Sequence, residues 1–397
     1  MAGPPLFEPG RIGSLTLKNR FIRAATSETM ASERGEVTDA LKALYRELAR
    51  GGVGLIFTGH LYVHSTGQYF FRQTGIYDDS LIPGLADLAR TVHREGGRIF
   101  AQLVHAGSQC RVPSVIPIAP SVVPNALTNR LPVEITPAQV DEMIEAFGRA
   151  ARRAVEAGFD GIHIHSANGY LASEFNSPHA NRREDAWGGD PERRGRFLCA
   201  VYEKVREVAG PELPVTVKLG VADTVEGGLT VEESVERAAR LEAMGLNAIE
   251  VSCGVMSRGS DSCGLYAGVG PGRALQDLLL HRLASPPGPE AYFLPFARAM
   301  KRRLNIPVIL VGGLRTTETM ERILASGEAD FLALARPFIR EPDIVNQIRN
   351  GRRGMVDCTS CNLCLMHEGK DPLRCWRKSV GSLLYHAYCR FWRDRGG

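Results

Sequence analysis

Eight short apolar or β-branched runs recur along the chain, each followed by a stretch of helical periodicity. The runs are RFIRAAT (20–26), VGLIFTG (53–59), RIFAQLV (98–104), GIHIH (161–165), PVTVKL (214–219), NAIEVS (247–252), PVILVGG (307–313) and DFLALAR (330–336). Between them, segments such as DALKALYRELARGG (39–52) and TPAQVDEMIEAFGRAARRAVEAG (136–158) repeat apolar side chains about every 3.6 residues. Cap chemistry agrees. Thr136 precedes Pro137 at one helix start, Gly158 ends that helix, and Asp190-Pro191 opens the next. Eight strand–helix units in succession predict an α/β fold, a (β/α)8 TIM barrel. A doubly wound sheet is the competing architecture, but the first strand–helix turn carries no GxGxxG. LFEPGRIGSLTLKNR (6–20) reads as an N-terminal hairpin closing the barrel bottom. The expected organisation is a barrel over 1–350 and a short, basic, Cys-rich C-terminal extension over 351–397.

Composition narrows the class. With 44% hydrophobic and 23% charged residues, the chain has the make-up of a globular protein. It contains no apolar run long enough for a membrane-spanning helix, and its start lacks a secretory pattern, so a cytoplasmic location without membrane association is the expectation. The net charge of +4 is concentrated after Gly351, where nine Lys and Arg face four Asp and Glu. Neither a helix-turn-helix pattern nor aromatic interleaving accompanies that charge, so a solvated face is expected and no nucleic-acid partner.

Sites in such barrels form at the C-terminal strand ends. There stand Gln102, His105, His165, Asn168, Tyr170, Lys218 and Arg336, a dense polar set for one mouth. Gly312-Gly313 opening a helix, with Arg336 on the partner strand, suits a phosphate, since amides and a guanidinium fork both bind anions. A helix cap with a surface ion pair is the plainer alternative. His163 and His165 share strand parity and point inward. As metal ligands they need a carboxylate or another histidine, and Lys218, Gln102 and Arg336 are poor or repulsive partners. A core role explains His163. It does not explain why His165, Asn168 and Tyr170 cluster where the strand emerges. A histidine and an asparagine offer two donors to one oxygen, and a neutral tyrosine can release a proton to a carbanion-like centre. The long segment 255–290 and the stretch 106–135 are expected to shape the pocket. NRREDAWGGDPERRGRF (181–197) reads as scaffold.

HSANGYLASEFNSPHANRREDAWGGDPERRGRF (165–197) resembles the signature of the Old Yellow Enzyme family of FMN-dependent oxidoreductases. LFEPGRIGSLTLKNR, YDDSLIPGLADLARTVHREGGRIFAQLVHAG and ALARPFIREPD extend the likeness over residues 5 to 350. The resemblance implies FMN as cofactor, NADH or NADPH as co-substrate and an unsaturated carbonyl compound as acceptor. Gln102 would bond the flavin pyrimidine, and Ala25, Thr26 and Gly59 would line the ring. Ser27 would meet flavin O4, and Lys218 would stand near N1 and O2. Gly312, Gly313, Ala335 and Arg336 would hold the phosphate, Ala335 departing from the glycine common in relatives. His165 and Asn168 would grip the substrate carbonyl and Tyr170 would protonate Cα. The expected function is therefore that of an ene-reductase working by a ping-pong mechanism. A flavin-binding protein without turnover is a rival that would be yellow yet never consume NAD(P)H.

Nine cysteines in a chain without a secretory pattern are not a disulfide framework. Cys358, Cys361, Cys364 and Cys375 follow C-x2-C-x2-C-x10-C, a spacing that suits a [4Fe–4S] cluster or zinc, with reduced structural thiols as the third reading. Larger members of the resembling family, of the dienoyl-CoA reductase and trimethylamine dehydrogenase type, bind a cluster just after the barrel. The second functional expectation follows: a dehydrogenase oxidising an amine or similar substrate and passing electrons through the cluster to a separate electron-transfer partner. A homo-oligomer is compatible with either reading.

Overall fold

The computed structural model describes residues 5–256 and 290–391. Eight parallel strands close into the expected barrel. They are β1 (Phe21–Arg23), β2 (Leu55–Phe57), β3 (Ile99–Val104), β4 (Gly161–Ser166), β5 (Val215–Gly220), β6 (Ala248–Ser252), β7 (Val308–Val311) and β8 (Phe331–Leu334). Neighbours in sequence are neighbours in space, and β8 pairs with β1 to complete the ring. The antiparallel hairpin Gly10–Ile12 with Leu15–Leu17 precedes β1, and its Ile12 and Leu17 plug the barrel interior from below.

Among the described residues the strands are flanked by the helices α1 (Asp39–Arg50), α2 (Ile82–Arg94), α3 (Pro137–Glu156), α4 (Pro191–Ala209), α5 (Val231–Ala243), α6 (Leu294–Arg303) and α7 (Thr317–Ala325). The caps read from sequence form as expected. The Thr136 hydroxyl accepts from the Gln139 amide in a reciprocal capping box, and the Asp190 carboxylate accepts from the Arg193 amide. Of the segment expected to form a long loop at 255–290, residues 257–289 lie outside the described residues.

One apolar layer sits between strands and helices, and a smaller one fills the barrel. Inside, side chains from alternate strands stack in tiers of four. Ile22, Phe100, Thr216 and Ile309 make a low tier. Phe57, His163, Glu250 and Ala333 lie above it. Ala24, Gln102, Lys218 and Val311 form the uppermost. Apart from Thr216, polar residues enter only as the tiers rise, so the barrel is a largely apolar plug under a polar floor.

The extension packs against the barrel. The Val356 amide bonds the Arg315 carbonyl at 2.8 Å, and the Leu373 amide bonds the Glu28 carbonyl at 2.8 Å. Trp376, buried, stacks on His367 with ring centroids 3.6 Å apart. Backbone pairing to barrel loops and burial of a large aromatic ring fasten the segment across the barrel top. No helix among the described residues is long and apolar enough to cross a membrane.

Gly161 opens β4 against the Phe100 ring, and a Cβ there would stand 2.5 Å from ring carbons. Gly161→Ala should therefore destabilise the barrel by about 1–3 kcal/mol through overpacking. Combined with Phe100→Leu it should cost less than the sum of the two single changes, as thermal melts of the four proteins would reveal.

Candidate active site

A cavity opens at the C-terminal ends of the strands, and its floor is the uppermost tier. Ala25, Thr26 and Ser27 border it after β1, and His165, Asn168 and Tyr170 do so after β4. Gly312 and Gly313 follow β7, and Ala335 and Arg336 follow β8. Of the expected cofactor and substrate residues only Gly59 stands apart. Its amide donates to the Tyr45 hydroxyl at 2.7 Å and to Glu28 Oε1 at 3.0 Å, tying β2 to the buried Arg23–Glu28 pair. His105 also fails to join the mouth. It is buried beside Thr66, whose hydroxyl is 3.0 Å from its Nε2, and it steadies the turn at Gly107.

On the floor, Gln102 is fully buried and neither atom of its carboxamide has a partner among the described residues. An orphaned buried polar group costs about 1–3 kcal/mol. The amide, one donor and one acceptor side by side, suits a ring edge bearing the complementary pair. Beside it, Lys218 Nζ lies 2.6 Å from Glu250 Oε1, while Glu250 Oε2 lies 2.9 Å from His163 Nε2. Burial alone would push the Glu250 carboxyl up, but the Lys218 charge and the His163 hydrogen bond hold it down at about 2. His163 is thus a satisfied core histidine, stacked on Phe57 at 3.9 Å, and no member of a metal pair.

The donors along the cavity wall are oriented by their neighbours. The Ala167 amide donates to His165 Nδ1 at 3.3 Å, so the ring proton sits on Nε2. Burial, then the nearby Lys218 charge, keeps this imidazole neutral far below its ordinary range. Asn168 adopts φ 58°, which a short polar side chain tolerates better than most. Ser252 Oγ donates to its Oδ1 at 3.0 Å, which assigns its NH2 group as the donor end. Tyr170 stands against His165 edge to face, centroids 4.8 Å apart.

At the far end, Gly312 and Gly313 hold φ of 109° and 72°, and a Cβ on either would strike the Tyr292 ring. Only glycine keeps that rim open. Ala335 sits at φ −106°, so the absence of glycine there carries no strain. Arg336 is anchored by a short hydrogen bond to Asn362 of the extension.

Several lining residues escaped the sequence. His60 Nε2 is 2.7 Å from Ser27 Oγ, and Gln73 donates to its Nδ1 at 2.7 Å. Burial lowers His60 to about 4, so it is neutral and passes its proton toward Ser27. Tyr69 and Glu368 also border the cavity, the latter from the extension, its carboxyl raised by burial and hydrogen-bonded by Ser27 and Tyr69. His60 directly follows the second apolar run (53–59), a strand-end position, but nothing in the spacing places residue 368 beside residue 27. The stretch 181–197 is scaffold as expected. Arg183 bonds Asp185 and the Ile135 carbonyl, each at 2.6 Å, and Arg194 bonds Glu233 at 2.8 Å.

Cys358, Cys361, Cys364 and Cys375 border a second, narrow cavity together with Arg336 and Arg340. Cys364 lines both cavities. Among the described residues no group of three or more His, Cys, Asp or Glu is placed to hold a single metal ion, so the zinc alternative finds no ligand set.

His60, His105 and His165 are all held below their ordinary range, mainly by burial, while an unfolded histidine titrates at about 6.5. The unfolded chain thus binds more protons on acidification, and stability should fall as pH drops from about 6.5 towards 4. Replacing His105 by Gln should flatten that slope by one proton, measured as the pH dependence of the unfolding midpoint.

Residues 5–258 match the NADH:flavin oxidoreductase / NADH oxidase family. An NADH oxidase of Thermoanaerobacter brockii is 36% identical over 366 residues, which is 91% of this chain and 53% of that protein. This chain therefore spans about half the length of that relative. In structure, a 2-naphthoyl-CoA reductase complex superposes with a TM-score of 0.83 at 26% identity, over 94% of this chain and 56% of the other. An old yellow enzyme homologue from Zymomonas mobilis superposes with a TM-score of 0.73 at 26% identity, over 93% of this chain and 100% of that one. Barrel, floor and sequence likeness converge: the chain belongs to the NADH:flavin oxidoreductase / NADH oxidase family, the Old Yellow Enzyme family.

Proposed function

We propose that this chain is an FMN-dependent oxidoreductase carrying hydride from NADH or NADPH to the activated C=C bond of an α,β-unsaturated carbonyl compound. The observation that carries the reading is an unpartnered Gln102 carboxamide on the floor of a cavity into which two oriented donors, His165 Nε2–H and Asn168 NH2, also face. FMN fits these residues. Gln102 would hold the pyrimidine, Lys218 the N1 and O2 side, and Ala25, Thr26 and Ser27 the ring. Gly312, Gly313, Ala335 and Arg336 would take the phosphate. Bound there, FMN supplies the two-electron chemistry.

The remaining work falls to the chain. His165 and Asn168 hold the substrate carbonyl oxygen and stabilise the negative charge that grows on it. Because burial keeps His165 neutral, it donates a hydrogen bond without surrendering a proton. The proton for Cα then comes from Tyr170. The aromatic walls, Tyr69, Tyr170 and Phe293, exclude water from the reacting carbon.

A second reading is favoured by the four thiols around one narrow cavity, with Cys364 shared by both sites. A [4Fe–4S] cluster needs thiolates set wider than around a single ion. With a cluster, an amine or similar substrate would be oxidised and electrons would leave toward a separate acceptor protein. Iron and acid-labile sulfide analysis of anaerobically purified protein decides this, and iron at background removes it.

Purified protein should be yellow, and stopped-flow mixing with NADH or NADPH should bleach it. Tyr170→Phe should slow reoxidation by an unsaturated ketone or aldehyde by about 10²–10⁴-fold while leaving reduction by nicotinamide near wild type. Equal loss in both half-reactions would contradict the assigned proton donor. Asn168→Ala should cost about 10²-fold in the oxidative half-reaction.

A further inference from the structure

The floor of the cavity holds a cation that is already paired. Lys218 reaches the cavity, yet its ammonium is 2.6 Å from the fully buried Glu250 carboxylate, one tier down. The pair is built by register, since Lys218 on β5 stands directly beside Glu250 on β6. The other carboxylate oxygen is held by His163 Nε2 at 2.9 Å, and His163 Nδ1 is capped by Thr216 Oγ1 at 2.8 Å. Burial disfavours an imidazolium here, so the neutral ring puts its one proton on Nε2, toward the carboxylate. The assembly is one ammonium, one carboxylate and a neutral imidazole, with no net charge.

We infer that Glu250 is a positioning residue that limits the positive charge Lys218 presents to the cavity floor and so sets how tightly electrons are held by the cofactor above it. This rests on the FMN reading. A lone ammonium under the ring, shielded from water, favours the electron-rich form of the cofactor, because charge acts strongly at low dielectric. A compensated ammonium favours it less and leaves the stored hydride readier to depart. Glu250 does not line the cavity and reaches it only through Lys218. The cost of burying the carboxylate is met by two hydrogen bonds and one opposite charge, which is what keeps it ionised.

The test uses the FMN-loaded full chain, with two readouts besides turnover: the midpoint potential, and the affinity for sulfite, a nucleophile that adds to oxidised flavin and leaves the ring anionic. Glu250→Gln should raise the potential and tighten sulfite binding at least tenfold. It should also speed reduction by nicotinamide relative to reoxidation by substrate. In a Lys218→Gln background the same change should do nothing, since a buried carboxyl deprived of its cation turns neutral and Gln mimics it. Should Glu250→Gln fail to fold, Glu250→Asp keeps the charge but withdraws it from Lys218 and should shift both readouts the same way, by less. Unchanged potential and sulfite affinity in the Glu250 variants, or an equal shift with and without Lys218, overturns the inference. Failure of the wild-type chain to bind FMN at all would instead overturn the proposed function.

Discussion

An ammonium and a carboxylate buried side by side inside a largely apolar barrel govern the arrangement of everything above them. Lys218 and Glu250 can occupy adjacent strands only because each satisfies the other and His163 takes the remaining oxygen. An unpaired charge at that depth would cost several kcal/mol and fill with water. With the pair in place, the tier above can expose Lys218 and Gln102 to a ligand while the tiers below stay dry. The barrel thus changes from packing to recognition within about one tier, and Phe57 stacked on His163 marks the border.

The wall of the cavity follows a different rule. Strand ends provide the floor and the donors, but side chains of the extension complete the rim. Ser360, Cys364, Leu365, Glu368 and Leu373 all face the same cavity as Ser27 and Tyr170. The Gly369 amide bonds Thr29 Oγ1 at 3.1 Å and Arg336 is held by Asn362, so the extension also fixes residues that the strands supply. Two parts of the sequence separated by more than three hundred residues share one site.

Much of the fold was legible because its signals are local. All eight strand runs overlap observed strands, and Thr136 and Asp190 cap the helices they announce. Strand parity and strand ends also located Gln102, His165, Asn168, Tyr170 and Lys218 around one mouth. The failures share a cause. Gly59 and His105 occupy strand ends, but which way a residue turns after the last ladder bond depends on tertiary partners such as Glu28 and Thr66. Glu250 is one acid within an apolar run, and only strand register brings it beside Lys218. Glu368 and the packed extension were invisible because long-range backbone pairing leaves no periodicity to read.

The division of labour between barrel and extension bears on how the cavity can diversify. Hydrogen bonds in the closed sheet do not pass through residues 360–373, so substitutions there leave the ring of strands intact. They alter the wall of the cavity instead. The shape of the wall can therefore change at apolar positions such as Leu365 and Leu373 while the floor stays the same, whereas Asn362 is tied to Arg336 and Glu368 to Ser27.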